Sequence, residues 1–174
     1  MKNFEVTSIE DGKKYWISRS VAVSTFLFLR DLGEIYVLAN KRGKGSADYQ
    51  GLWNCPCGYL DFDETAEQAG VREVLEETGY ILDENDLIFM KVITDPRENR
   101  QNVSIRFEVH KSLDELKRVE MVGGEENEVD EVKLINVKDV DKYEWAFGHK
   151  EIIKEIILKK NYLKEKVVLN NLYR

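Results

Sequence analysis

The run SRSVAVSTFLFL, residues 18–29, is rich in β-branched and aromatic side chains and predicts a strand. Asp31 to Gly33 is a turn signal, and EIYVLAN, residues 34–40, returns as a second strand, so a hairpin is expected. A polar, glycine-bearing loop follows at 41–51, then a short segment at 52–60. LIFMKVIT (87–94) and VSIRFEVH (103–110) predict two further strands, joined by the polar stretch PRENRQN. EVKLINV (131–137) predicts a last strand after an acidic, glycine-bearing loop at 123–130. Residues 112–121 carry no clear period. In HKEIIKEIILKK (149–160) the isoleucines at 152, 153, 156 and 157 follow helical spacing, and the basic residues at its end suit a helix C-terminus. Strands outnumber helices, and an α/β layered domain is the expected class.

A second helix is expected over 66–78. Thr65 and Gln68 have the spacing at which a hydroxyl and an amide cap each other's backbone donors, and Gly79 suits a left-handed terminator. At 100° per residue, Val71, Val74, Leu75 and Thr78 fall on one face, expected to bury against a sheet. Glu73, Glu76 and Glu77 fall roughly opposite, with the small residues Ala66, Ala69 and Gly70 beside them clearing space over the carboxylates. Like charges three and four residues apart repel. Such a cluster is either a solvated acidic face or a place where divalent cations and a phosphorylated ligand sit.

Composition narrows the choice. The 174 residues suit one domain spanning 1–174, with no boundary and no internal repeat. A hydrophobic fraction of 43% with 34% charged residues belongs to an ordinary globular protein. The net charge of −7 argues against a nucleic-acid-binding surface, but a cation-loaded acidic pocket can still hold a small phosphorylated ligand. Cys55 and Cys57 are the only cysteines, too few for a disulfide framework and without the partners of a zinc site. No apolar run approaches a membrane span and no signal-peptide region opens the chain, so the cytoplasm is the expected location.

Read backward from the glutamates, the spacing extends: Gly58, five residues, Glu64, seven residues, then Arg72-Glu73-Val74-Leu75-Glu76-Glu77-Thr78-Gly79-Tyr80. This resembles the Nudix box at every fixed letter, with Tyr80 where an aliphatic residue is usual. Upstream, Pro56-Cys57-Gly58 stands where many relatives have Pro-Gly-Gly, so Cys57 must accept the backbone angles a glycine often takes there. The resemblance implies a Nudix hydrolase: a mixed β-sheet packed between α-helices, an α/β/α sandwich, that hydrolyses a nucleoside diphosphate linked to another group with Mg²⁺ or Mn²⁺. It implies Glu73, Glu76 and Glu77 as metal ligands, Glu64 assisting them, Arg72 orienting them, and Gly58 bending the loop into the helix.

Outside the box, Pro96 and the stretch Asp95 to Ser104, together with Trp145-Ala146-Phe147-Gly148-His149, loosely resemble the ADP-ribose pyrophosphatase branch. That points to ADP-ribose as substrate, and to a homodimer, common among relatives of that branch, in which Tyr15 and Trp16 could pack at the interface. Arg97 and Arg100 are candidate phosphate contacts. Trp53, or Tyr49, is a candidate for stacking on a base, although an aromatic beside a strand is more often core. His149 is expected to cap or pack against the last helix. The acidic loop offers Glu126 and Glu128 as candidate general bases for the attacking water. Two other functions stay open at this point: hydrolysis of nucleoside triphosphates, oxidised ones included, and a non-catalytic Nudix-fold sensor.

Overall fold

The computed structural model describes residues 3–119 and 127–172, with side chains to residue 160. Its centre is β3 (Ser20–Asp31), buried from Val23 to Leu29. Side chains alternate across a strand, so both faces of β3 need cover. Phe26 and Phe28 point to one side and Leu27 and Leu29 to the other. That explains an unbroken apolar run, where a half-exposed strand would alternate apolar with polar.

β4 (Glu34–Arg42) returns antiparallel from β3. The two-residue turn between them places Leu32 at φ 45° and Gly33 at φ 84°, the mirror-image turn that suits the twist of a hairpin. The short strands β5 (Trp53–Asn54) and β6 (Cys57–Tyr59) arise from the segment at 52–60 and pair with β4 and β3. Helix α1 (Ala66–Thr78) follows, then β7 (Tyr80–Ile81), β8 (Ile88–Ile93), β9 (Asn102–Ser112), β10 (Lys117–Arg118), β11 (Val129–Asn136) and α2 (His149–Leu172). The main sheet runs β11-β4-β3-β9-β8. Its β3–β9 pairing is parallel and the others antiparallel, so the sheet is mixed. The stretch without a clear period contains a short 3₁₀ turn and β10, which pairs with β7.

One helix covers each face. Ile152, Ile153 and Ile156 of α2 pack on Phe26, Phe28, Val37, Ala39 and Ile135. Val74 of α1 joins Leu27, Leu29, Leu38 and Val109 on the other side. The α/β/α sandwich expected from the sequence is the fold observed. The N-terminal residues, with no structural expectation beyond a packing role for Tyr15 and Trp16, form a separate hairpin of β1 (Phe4–Thr7) and β2 (Lys14–Ile17). It leaves Phe4, Tyr15, Trp16 and Ile17 exposed. Among the described residues no helix is long and apolar enough to cross a membrane.

Candidate active site

Helix α1 begins as its sequence dictates. The Thr65 hydroxyl accepts from the Gln68 N–H, and the Gln68 side chain accepts from the Thr65 N–H. It ends at Gly79, φ 75°, whose N–H donates to the Leu75 carbonyl. The buried side of the helix is the expected one only in part. Ala69, Gly70, Glu73, Val74, Glu77 and Thr78 are buried, while Val71 and Leu75 are only half-buried. The small residues serve helix–sheet contact and clear no space over the carboxylates. At Gly70 a Cβ would lie 3.1 Å from Thr25 Oγ1, and that hydroxyl donates to the Gly70 carbonyl at 3.1 Å. Glu73 and Glu77 are therefore carried into the helix–sheet boundary.

Their surroundings are tightly specified. Arg72 receives Glu64 in a two-point contact, Nε to Oε2 at 3.0 Å and Nη2 to Oε1 at 2.7 Å. Its Nη1 donates to Glu73 Oε1 at 2.7 Å and Glu76 Oε2 at 2.9 Å, and its Nη2 to the Tyr59 carbonyl at 3.0 Å. One guanidinium thus ties three box carboxylates to the loop before the helix. Glu64, expected beside the metal, is engaged with Arg72 and with the Asp61 N–H. Glu77 accepts the Cys57 N–H at 3.0 Å.

Gly58 has a use other than bending the loop. A Cβ there would lie 2.1 Å from Glu73 Oε1, so the missing side chain makes room for that carboxylate. Gly58→Ala is expected to keep the fold, because a flexible side chain can yield, but to push Glu73 aside and lower kcat about 10²-fold. Steady-state kinetics with a melting curve check this, and an unchanged kcat contradicts it. Cys57 is absent from the residues with positive φ, so it carries no backbone strain. Burial pushes its thiol up, and with it that of Cys55, which suits inert structural thiols.

The electrostatics are unusual for a helix surface. Burial raises Glu73 to about 7, against the pull of Arg72. Burial, then the neighbouring Glu73 charge, raises Glu77 well above the carboxylate range. Glu128, the residue before β11, adds negative potential at both, so it lies near the pair. Arg42 is the cation that works in the opposite direction at Glu77. It is buried, bonded to Asp48 and lies 4.9 Å from the centre of the Phe147 ring. Because Leu38 faces α1, Asn40 and Arg42 share that face, and Asn54 is the register partner of Asn40. The amide of Asn40 and Asn54 Oδ1 are buried without a protein partner. Sequence reading missed Asn40, Arg42 and Asn54. Each looks like an ordinary polar residue at a strand end, and only the pairing of β4 with β5 brings Asn40 and Asn54 together on the face that α1 covers.

These observations fit a hydrated divalent cation. Two coupled carboxylates are held at high proton affinity in a site with only partial cationic compensation, and unsatisfied amides lie on the same face. Among the described residues no three Asp, Glu, His or Cys side chains form a ready-made cage. Mg²⁺ does not need one, since it uses a few carboxylates, waters and substrate phosphate oxygens.

The other candidates lie apart. Trp53 is a correction. It is 6% exposed, edge-on to Tyr143, and packed in the core beneath α2 on the opposite face of the sheet, so it is not placed to stack on a base. Tyr49 is exposed but meets Phe147 edge-on. His149 starts α2 and is buried, its Nδ1 accepting the Cys55 N–H at 3.0 Å; burial lowers it to about 3. Arg97 and Arg100 are both exposed in the connection from β8 to β9, where Arg97 pairs with Asp95. Arg19 fixes that connection by donating to the Thr94 and Asn99 carbonyls, and Gln101 reaches the Tyr59 hydroxyl at 3.4 Å. Tyr59 thereby links the loop to Arg72. Glu126 lies outside the described residues.

The NUDIX domain family matches residues 18–156. The chain belongs to that family. The ADP-ribose pyrophosphatase of Methanocaldococcus jannaschii is 28% identical over 87% of this chain and 82% of its own length. A putative 8-oxo-dGTP diphosphatase of Bacillus subtilis is 62% identical over 29 residues, 17% of this chain and 20% of that protein. Among solved structures, the NUDIX domain of Shewanella oneidensis NrtR, complexed with ADP ribose, superposes with a TM-score of 0.67 at 22% identity, covering 82% of this chain and 89% of that one. The chain is a Nudix pyrophosphohydrolase, and the crowded carboxylates of α1 are its box.

Proposed function

We propose that this Nudix hydrolase cleaves the pyrophosphate bond of a nucleoside diphosphate linked to another group, that ADP-ribose is its substrate, and that Mg²⁺ or Mn²⁺ is required. The observation that carries this reading is the buried pair Glu73 and Glu77 on one helix, with Glu73 and Glu76 sharing Arg72 and Glu77 held by the Cys57 N–H. The M. jannaschii relative, similar over most of both chains, supports the substrate. The residues that would hold the cation are Glu73, Glu76 and Glu77, with Glu64 in reserve behind Arg72. When bound, the cation supplies Lewis acidity toward the diphosphate and lowers the pKa of water.

The chain's own residues orient and exchange protons. Arg72 holds Glu73 and Glu76 in fixed rotamers. Glu128 is the general base that takes a proton from the attacking water. Arg97 and Arg100 bind the diphosphate, Arg97 exchanging its contact with Asp95 for it. The products are AMP and ribose 5-phosphate. Hydrolysis of a nucleoside triphosphate to a monophosphate and pyrophosphate is the second reading; the B. subtilis relative favours it, but over only 29 residues. The complete carboxylate set favours hydrolysis over ligand sensing.

Product analysis by mass, with ADP-ribose, a nucleotide sugar, a dinucleoside polyphosphate and 8-oxo-dGTP as competing substrates, tests the substrate. Fastest cleavage of ADP-ribose, to AMP and ribose 5-phosphate, is expected. Preference for the triphosphate would overturn the substrate and keep the chemistry.

The proposed partner is the small-molecule nucleotide, without nucleic acid or membrane, acting in the cytoplasm on one domain over residues 1–174. The net charge of −7 supports the exclusion of nucleic acid. A homodimer is proposed through the β1–β2 hairpin, whose exposed Phe4, Tyr15, Trp16 and Ile17 would be covered by a second copy. Light scattering should give twice the chain mass, falling toward the monomer in Trp16→Ser; a wild-type monomer at micromolar concentration rules the dimer out.

A further inference from the structure

Four observations converge on the turn at 43–46. The Gly43 N–H donates to the Glu128 carbonyl at 2.6 Å, and the Gly45 N–H to the Asn127 carbonyl at 2.9 Å. The Ser46 hydroxyl, on a residue only 3% exposed, donates to the same Glu128 carbonyl at 3.0 Å. At Gly43 a Cβ would sit 2.2 Å from the Asn127 carbonyl oxygen and 2.9 Å from Asp130 Oδ1. The first of those atoms is backbone, and contacts this short are not sustained, so any side chain at 43 must displace residues 127–128. Gly43 has no positive φ, so it is glycine for close approach and not for backbone freedom.

The turn is itself braced. Gln50 Nε2 donates to the Lys44 and Ser46 carbonyls at 3.0 and 2.9 Å. Arg42 donates from Nε to the Asp48 carbonyl and from Nη2 to Asp48 Oδ1, both at 2.9 Å. A stretch that reads in sequence as a polar surface loop is a platform with its own hydrogen-bond frame. The residue it grips hardest, Glu128, is the one whose charge reaches Glu73 and Glu77.

We propose that the 43–46 turn is a clamp that sets the position of Glu128, and that Gly43 and Ser46 are positioning residues for hydrolysis. The inference rests on the reading of Glu128 as general base. Neither residue touches the reacting atoms; both act through the main chain of residues 127–128. Displacement by about 1 Å is enough to cost a positioned group about 10²-fold in rate.

The test is a double-mutant cycle with Glu128→Gln, measuring kcat and KM for ADP-ribose at saturating Mg²⁺, with melting temperatures for every variant. Glu128→Gln alone should lower kcat about 10²–10⁴-fold. Gly43→Ala should lower kcat about 10²-fold at little change in KM, and should have almost no further effect in the Glu128→Gln background, because the group it positions is already gone. Ser46→Ala, which leaves the backbone packing in place, should follow the same pattern with a smaller loss. It decides the matter if Gly43→Ala fails to fold. Equal fractional losses in both backgrounds, or no loss from either turn variant, would overturn the clamp while leaving Glu128 as base. Full activity in Glu128→Gln would overturn the base assignment and the clamp with it.

Discussion

Glu77→Gln is expected to lower kcat about 10²–10⁴-fold, the range seen when a positioned acid–base or charge-stabilising group is removed, while the protein stays folded. The substitution keeps the side-chain volume and leaves an oxygen to accept the Cys57 N–H at 3.0 Å, so the packing between α1 and β6 survives. Only the charge is lost. Glu77 is 4% exposed and burial raises it well above the carboxylate range, so without a cation the neutral amide suits the site at least as well. The melting temperature in chelator should therefore hold or rise. Glu76→Gln should give a comparable loss of turnover, with Arg72 keeping Glu64 and Glu73. Near wild-type turnover in both variants would remove the box carboxylates from the chemistry.

The second large effect is on stability. Glu73 sits at about 7 in the folded protein against 4.5 ordinarily. Between those values the folded state holds a proton that the unfolded state has released. The associated stability is fully present below about pH 4.5 and is lost as pH rises through 7, by on the order of 3 kcal/mol for this group. Glu77 acts in the same direction. His149 opposes them. Burial lowers it from 6.5 to about 3, so its contribution grows as pH climbs toward 6.5. Total stability against pH is thus a mixture, and the informative quantity is the difference made by Mg²⁺. A cation binds the deprotonated carboxylates, whereas His149 lies against Phe26, whose side chain packs beneath α2. Denaturant unfolding with and without Mg²⁺ should show almost no difference at pH 5. At pH 8 it should show a stabilisation of about 2–3 kcal/mol when the cation is near a hundredfold above its Kd. A Mg²⁺ effect equal at both pH values would contradict the assignment of the metal to this pair.

Much of this was legible in the chain because local rules and global fold agree there. Thr65, Gln68 and Gly79 bound α1 at the residues observed, and the continuous apolar run of β3 belongs to a strand covered on both faces. The short strands β5, β6, β7 and β10 were not legible. Two or three residues carry no period, and their pairing is set by β3, β4 and each other. The N-terminal hairpin escaped because its apolar residues face no core of its own.

The instructive miss is the buried side of α1. Periodicity places Val71, Val74, Leu75 and Thr78 inward on the premise that carboxylates stay in water. Val74 and Thr78 are inward, but the structure also buries Glu73 and Glu77 and leaves Val71 and Leu75 half-buried. Local pattern and fold disagree at the residues proposed to do the chemistry, which is where such disagreement is expected. Trp53 fails for a simpler reason. Which face a residue of a two-residue strand points to depends on its partner in β4, and no pattern within the strand itself announces it.

The most direct test of the account is Mn²⁺ binding to the wild-type protein and to Glu77→Gln, followed by electron paramagnetic resonance alongside ADP-ribose hydrolysis in the same samples. Saturable Mn²⁺ binding is expected in the wild type, weakened in Glu77→Gln, with turnover rising in step with occupancy and abolished by excess chelator. Full turnover in chelator, or binding untouched by Glu77→Gln, would contradict it.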